Sequence, residues 1–285
     1  MLKIWSSSRP RFNSLVFALV LVFLLQAPAA SASLGGTEIK KNSFTVGFTF
    51  TLDGIANVCS GVLIAPKIIA TAKHCVLSES EIPGEDYIFT NPGTEIDGPG
   101  TKAKIAKTVI TDEDLAFIVL TKALTTDNFL KIASDKITSN LPQGANVNGY
   151  GYGAVFETAA PYSSFVRKYP LEWQLTKVKN TYELTSASAS ACVGDSGGPI
   201  VAQISKTEQV IVGLMTGAAN VEGVCGTKGP DGLFRMRVVL IRPFLKLIPE
   251  YSYPKKLTIT CIRGNSKKLV TGYDPKCPTG YRLRK

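Results

Sequence analysis

The chain contains one histidine, His74, and its six cysteines include no Cys-x-x-Cys pair. Zinc therefore has no ligand set, since zinc centres draw on several closely spaced histidines and cysteines. Long apolar runs are also missing. The longest, Leu15 to Leu25, has about eleven residues, well short of the ~20 that cross a bilayer. No internal repeat is visible, which excludes solenoids and propellers. Past residue 251, acids and aromatics are both scarce. Asp274 is the one acid there against nine lysines and arginines. With so few rings to stack bases, that region does not read as nucleic-acid binding.

What is present begins with an export pattern. Lys3, Arg9 and Arg11 precede the Leu15–Leu25 run, and Gln26, Pro28 and the small residues Ala30-Ser31-Ala32 follow it. A basic flank, a short apolar core and a small-residue cleavage site predict a signal peptide over 1–32 and a secreted chain with no transmembrane segment. In an oxidising compartment six cysteines are expected to pair, although six cysteines alone leave the connectivity open.

Between the ends, short runs rich in Val, Ile and Thr are broken by Gly, Pro, Asn and Asp, which predicts an all-β domain over 33–250. Phe44-Thr45-Val46-Gly47-Phe48-Thr49-Phe50 alternates as a half-buried strand does. Val62-Leu63-Ile64-Ala65 and Ile68-Ile69-Ala70 read as two buried strands joined by a turn at Pro66-Lys67. Val239 to Ile248 is the best candidate helix, with Pro243 near its first turn. Thr185 to Ala191 is a low-complexity Ser/Thr/Ala stretch.

Gly194-Asp195-Ser196-Gly197-Gly198-Pro199 is the segment richest in chemistry. Small residues around Ser196 let a substrate backbone approach, and glycine permits a turn that aims successive N–H groups at one point. His74 follows a core strand, in Thr71-Ala72-Lys73-His74-Cys75, and Asp114 opens the apolar strand Leu115 to Leu120. A carboxylate that accepts from one imidazole nitrogen leaves the other free to take a hydroxyl proton. The order His74, Asp114, Ser196 thus suits nucleophilic acyl transfer. The hexapeptide lacks the strand-to-helix setting of an esterase nucleophile elbow.

Cys59-Ser60-Gly61 through His74-Cys75, the Asp114-Leu115-Ala116 strand and the Gly194–Pro199 segment together resemble the trypsin and chymotrypsin family of serine proteases. Gly149-Tyr150-Gly151 and Gly213-Leu214-Met215-Thr216-Gly217 resemble two further elements of that family, and the likeness runs over roughly 33 to 250. The resemblance implies two six-stranded antiparallel β-barrels, over about 33–140 and 141–250, with a C-terminal helix and the site in the cleft between the barrels. It implies His74, Asp114 and Ser196 as the catalytic triad and the N–H groups of Gly194 and Ser196 as the oxyanion hole. Protein or peptide substrates follow from it, with no metal or organic cofactor, in a secreted and bacterial member of the family.

The resemblance also implies the pairs Cys59–Cys75 and Cys192–Cys225, which leaves Cys261 to Cys277. In the family the aspartate corresponding to Asp195 pairs with a newly released α-amino group. Cleavage after Ala32 would expose Ser33-Leu34-Gly35-Gly36 for that role, with Ser33 in place of a large apolar first residue. Ser190 falls at the base of the primary specificity pocket, lined further by Thr216, Gly217, Ala218 and Gly232. An uncharged pocket suited to a bulky apolar residue is expected, with Asp231 and Glu222 nearby as possible sources of a basic preference. Glutamate preference through a pocket histidine is excluded, since His74 is already used.

Two charged regions complete the reading. Glu79, Glu81, Glu85 and Asp86 form an acidic loop after His74, read as solvated rather than calcium-binding. The basic tail, 251–285, holds most of the formal net charge of +10 and leaves the rest of the mature chain near neutral. Leu257 to Gly264 and Leu269 to Tyr273 predict a hairpin closed by Cys261–Cys277, which could hold the protein on an anionic cell wall or envelope. The competing function is a catalytically silent binding or adhesion protein on the same fold, anchored by that tail.

Overall fold

The computed structural model describes residues 36–39, 42–52, 55–76, 88–90, 103–153, 166–178, 181–218, 228–273 and 275–284. The chain separates into Met1–Ala32 and Ser33–Lys285. The predicted signal peptide, like the acidic loop at 79–86, lies outside the described residues.

After the short strand β1 (Thr37–Glu38), the first sheet starts at Asn42. Its side-chain oxygen accepts from the N–H groups of Phe44 (3.0 Å) and Thr45 (2.6 Å), a turn that launches β2 (Thr45–Leu52). There follow β3 (Ile55–Ala65), β4 (Ile68–Thr71), β5 (Ile88–Phe89), β6 (Ile105–Ile110) and β7 (Ala116–Leu120). Strands β3 and β4 turn at Pro66-Lys67, where proline's fixed φ costs no ladder hydrogen bond. The six strands pair antiparallel in the order β5-β2-β3-β4-β7-β6.

Next come β8 (Lys131–Ile132), helix α1 (Asp135–Asn140), β9 (Ala145–Gly151), β10 (Arg167–Val178), β11 (Thr181–Ser186), β12 (Pro199–Gln203), β13 (Gln209–Ala218) and β14 (Phe234–Val239). The order β10-β11-β14-β13-β12-β9 returns on itself because β9 also pairs with β10, so six strands close into a barrel. Strands β1 and β8 join this second sheet, through β10 and β13, although both precede residue 141. The architecture is all-β, with two six-stranded antiparallel barrel sheets.

Unbroken apolar runs arise where strands are buried on both faces. In β3, Leu63 points into the first barrel while Val62 and Ile64 join the cluster shared by both sheets. In β13, Val210 and Val212 fill the second barrel, and Ile211 between them packs on the shared cluster. Phe44 meets Tyr150 edge to face at 5.2 Å in that shared cluster, joining a residue at the start of β2 to one in β9.

The predicted helix over 239–248 is shorter and tighter. Val239 ends β14, opposite Leu214, and a 3-10 helix covers Arg242–Leu247. Pro243 brings no N–H, and the turn closes through i→i+3 bonds such as Phe244 N to Ile241 O at 3.0 Å.

The tail is a sheet of three strands rather than two. A third strand, β17 (Arg282–Leu283), adds to the hairpin of β15 (Leu257–Arg263) and β16 (Ser266–Gly272), and Cys261 bonds to Cys277. It is docked on the first barrel. Tyr273 sets its ring edge to face on Phe129 at 4.6 Å, and its hydroxyl donates to Asn128 Oδ1 at 3.0 Å. Tyr253 Oη donates to the Phe129 carbonyl at 3.1 Å.

Candidate active site

His74 lies in a one-turn 3-10 helix, Lys73–Cys75, directly after β4. Cys75 is fully buried and bonded to Cys59 of β3, which ties this turn to the barrel wall and leaves His74 exposed beside it. Asp114 sits in the bend before β7, the strand paired with β4, so the ladder brings the two residues together from 40 positions apart. His74 Nδ1 lies 2.9 Å from Asp114 Oδ2 and 3.1 Å from Oδ1, and the His74 backbone N–H donates to Oδ1 at 3.1 Å. In the tautomer that carries its hydrogen on Nδ1, this leaves Nε2 as the acceptor.

Asp114 is half-buried, with 33% of its side chain exposed. Burial acts to raise its pKa. The hydrogen bond and charge of His74, with the backbone N–H groups of His74 and Lys73, outweigh it and hold the carboxyl below its ordinary value.

Ser196 approaches the same region from the second barrel, in the turn before β12. Its carbonyl accepts from the Ser60 N–H at 2.9 Å and lies 3.7 Å from Cys75 Sγ, in the residue after His74. Gly197 has φ +83°, and a Cβ there would fall 2.1 Å from Thr71 Oγ1 and 2.2 Å from the Ser60 carbonyl oxygen. Only glycine permits so close an approach. The serine turn is therefore pressed onto β3 and onto the end of β4, three residues before His74.

Gly194, at φ +96°, directs its carbonyl to Ser60, whose hydroxyl donates to it at 2.7 Å. The same hydroxyl accepts from Tyr152 N at 2.9 Å. Among the described residues, neither the Gly194 nor the Ser196 N–H has an acceptor, so both can serve a developing oxyanion. Asp195 is fully buried, its carboxylate taking Gly153 N (2.8 Å), Cys192 N (2.8 Å) and the Tyr169 hydroxyl (3.2 Å). Ser60 and Tyr169 carry no signal in the sequence for these contacts, beyond Ser60 standing in the Cys59-Ser60-Gly61 motif.

Of the residues expected to line the specificity pocket, Ser190 is 2% exposed and donates to the Ala191 carbonyl at 3.0 Å. Thr216 is buried, and a Cβ at Gly217 (φ +142°) or Gly232 (φ +76°) would meet nothing within 4 Å among the described residues. Ala218 ends β13. Asp231 is paired bidentately with Arg235, which lowers its carboxyl pKa, chiefly through their hydrogen bonds. Lys228 Nζ donates to the Ala187 carbonyl at 3.0 Å and lies 4.9 Å from the centre of the Phe234 ring. Ser33, Glu222 and Cys225 fall outside the described residues, while Cys192 is itself disulfide-bonded.

Paired six-stranded barrel sheets bearing a Gly-Asp-Ser-Gly-Gly turn beside a His–Asp pair define a class of hydrolytic enzymes, the serine endopeptidases. The family model described as Trypsin matches residues 33–236. The chain is 28% identical over 188 residues to trypsin delta of Drosophila erecta, covering 59% of this chain and 73% of that protein. To the serine protease SP24D of Anopheles gambiae it is 24% identical over 201 residues, 65% of this chain and 70% of the other. To the transmembrane protease serine 11G of Rattus norvegicus it is 21% identical over 245 residues, 78% and 56%. The matches named here are to insect and rodent proteins rather than bacterial ones. This chain belongs to the trypsin family of serine endopeptidases.

Proposed function

We propose that the protein is a secreted serine endopeptidase that works through His74, Asp114 and Ser196 and prefers an uncharged residue before the cut. The carrying observation is the His74–Asp114 contact at 2.9 Å, beside a serine turn locked onto the same strands. Ser196 Oγ attacks the peptide carbonyl while His74 Nε2 takes its proton, and the Gly194 and Ser196 N–H groups receive the oxyanion. His74 then gives the proton to the leaving amine. Water repeats the two steps on the acyl-enzyme, releasing the acid and restoring Ser196. Asp114 keeps Nδ1 protonated and supports the imidazolium that forms in between.

The preference rests on charge. Ser190 brings no carboxylate to the pocket base, Asp231 is engaged by Arg235, and Lys228 sets its ammonium on the carbonyl of Ala187, three residues before Ser190. A basic substrate side chain would find no counter-charge among these groups, whereas an apolar one gains by leaving water. Tail and envelope go together in this reading. Ile262, Lys267 and Arg282 are register partners on one face of the tail sheet, and Thr260 and Leu269, the latter 69% exposed, pair on that same face. An apolar spot beside two cations suits an anionic envelope polymer.

Reaction of the exported protein with a serine-directed phosphonate, read by intact mass beside Ser196→Ala, tests the central reading. Labelling of the parent alone is expected. A folded parent that does not label would overturn it.

A further inference from the structure

We infer that the Thr71 hydroxyl, acting through Ser60, sets the spacing between His74 on the first barrel and Ser196 on the second. The inference rests on the reading of those two as base and nucleophile. It assigns Thr71 and Ser60 as positioning residues, since both are fully buried and bond to backbone rather than to the reacting atoms.

The two reacting side chains are not held in place by their own burial. The His74 side chain is 49% exposed and Ser196 is half-buried, each on a different barrel. Their backbones have to be kept in register instead. On its own barrel the serine turn is fastened to β13, where Gly197 N donates to the Met215 carbonyl at 2.7 Å and Met215 N to the Gly198 carbonyl at 2.8 Å. Toward the first barrel it is fastened by Ser60 of β3. The Ser60 N–H donates to the Ser196 carbonyl (2.9 Å), and its hydroxyl donates to the Gly194 carbonyl (2.7 Å) while accepting from Tyr152 N (2.9 Å).

Thr71 ties this grip to the histidine side of the site. It ends β4, three residues before His74, between Gly61 of β3 and Ala116 of β7, itself two residues past Asp114. Its hydroxyl donates to the Ser60 carbonyl at 2.7 Å. The buried path from the His74 strand to the nucleophile thus runs through Thr71 Oγ1, the Ser60 backbone and the Ser196 carbonyl. The same oxygen lies under the residue after the nucleophile, for a Cβ on Gly197 would fall 2.1 Å from it. A methyl in place of that oxygen is bulkier and donates no bond. It would press on Gly197 and leave the Ser60 carbonyl without this donor. Reacting groups moved by about 1 Å can lose about a hundredfold in rate.

The test compares the exported protein with its Thr71→Val, Thr71→Ser and Ser60→Ala variants. Phosphonate labelling rate, kcat, KM and the thermal transition are measured for each. Valine keeps the shape of threonine and loses the hydroxyl, whereas serine keeps the hydroxyl and loses the methyl. Thr71→Val should lose about ten- to a hundredfold in kcat and in labelling rate, with KM within about twofold. Thr71→Ser should stay within about threefold of the parent in kcat, even where its thermal midpoint falls further than that of Thr71→Val. Activity that follows the hydroxyl and not the midpoint is what positioning gives and a general loss of packing does not. Ser60→Ala keeps both backbone bonds of that residue and should lose about tenfold in kcat. It decides the matter if Thr71→Val does not fold. The inference falls if folded Thr71→Val keeps the parent's kcat, if Thr71→Ser loses as much as Thr71→Val, or if Ser60→Ala leaves kcat unchanged. In each of those cases the triad reading stands. If the parent itself does not label, the triad reading fails and carries the inference with it.

Discussion

His74 meets Asp114 through two donors at once: the ring Nδ1 lies 2.9 Å from Oδ2, and the backbone N–H donates to Oδ1 at 3.1 Å. The second contact fixes the carboxylate against the residue it orients, whatever the ring does.

For Asp114→Asn, kcat should fall by about 10⁴, the loss known for the same change in the template triad, because an amide does not enforce the tautomer. Substrate KM should change little.

The same carboxyl carries a pH signature. Its folded pKa lies below the ordinary 3.8, so its contribution to stability is complete above that value and fades as pH falls through the lowered one. The stability gap between parent and Asp114→Asn should therefore shrink as pH is lowered below about 4. Urea titrations at several acidic pH values measure this, and a gap that widens below about pH 4 would contradict it.

Gly197→Ala should be among the most damaging single changes. The new methyl meets backbone at the Ser60 carbonyl and Ala72 N, 2.2 and 2.8 Å away, at a φ of +83°. We expect a loss of more than about 3 kcal/mol, from strain and overpacking together. Phosphonate labelling should vanish in any folded fraction, since Ser196 must shift.

Removing the Cys59–Cys75 bridge as the double alanine variant opens a loop with a sequence separation of 16. Chain entropy puts the cost near 3 kcal/mol. Labelling should slow as well, because Cys75 is the buried anchor beside His74. Differential scanning calorimetry with parallel labelling separates the two effects.

The tail's docking is tested by Tyr273→Ala. It deletes the edge-to-face contact with Phe129 and the bond to Asn128, together worth about 1.5–2.5 kcal/mol. The thermal midpoint should drop without change in kcat. Equal stability would mean that the tail contributes nothing to the barrel it sits on.

Much of the fold was legible because burial repeats along a strand. The run Val62 to Ala65, the turn at Pro66-Lys67 and the run from Ile68 appear as β3 and β4, and the alternation from Phe44 on becomes β2. Features without period were lost. Helix α1 is six residues, too short for a helical repeat, although Ser134 capping Ile137 N was a readable start. Strand β17 has two residues and exists because β15 offers it an edge. Over 239–248 the apolar pattern allowed either helix type, and the missing N–H of Pro243 together with the pairing of Val239 decided for a short 3-10 turn.

From the residues alone came the β class, the runs that fill the core and the candidates His74, Asp114 and Ser196, because period and residue chemistry are local properties. Tertiary structure alone decided that Ser60 reaches Gly194 across 134 positions and that Tyr169 bonds Asp195 across 26. Those contacts depend on where barrel closure brings strand ends together in space. No local pattern in the chain records that distance.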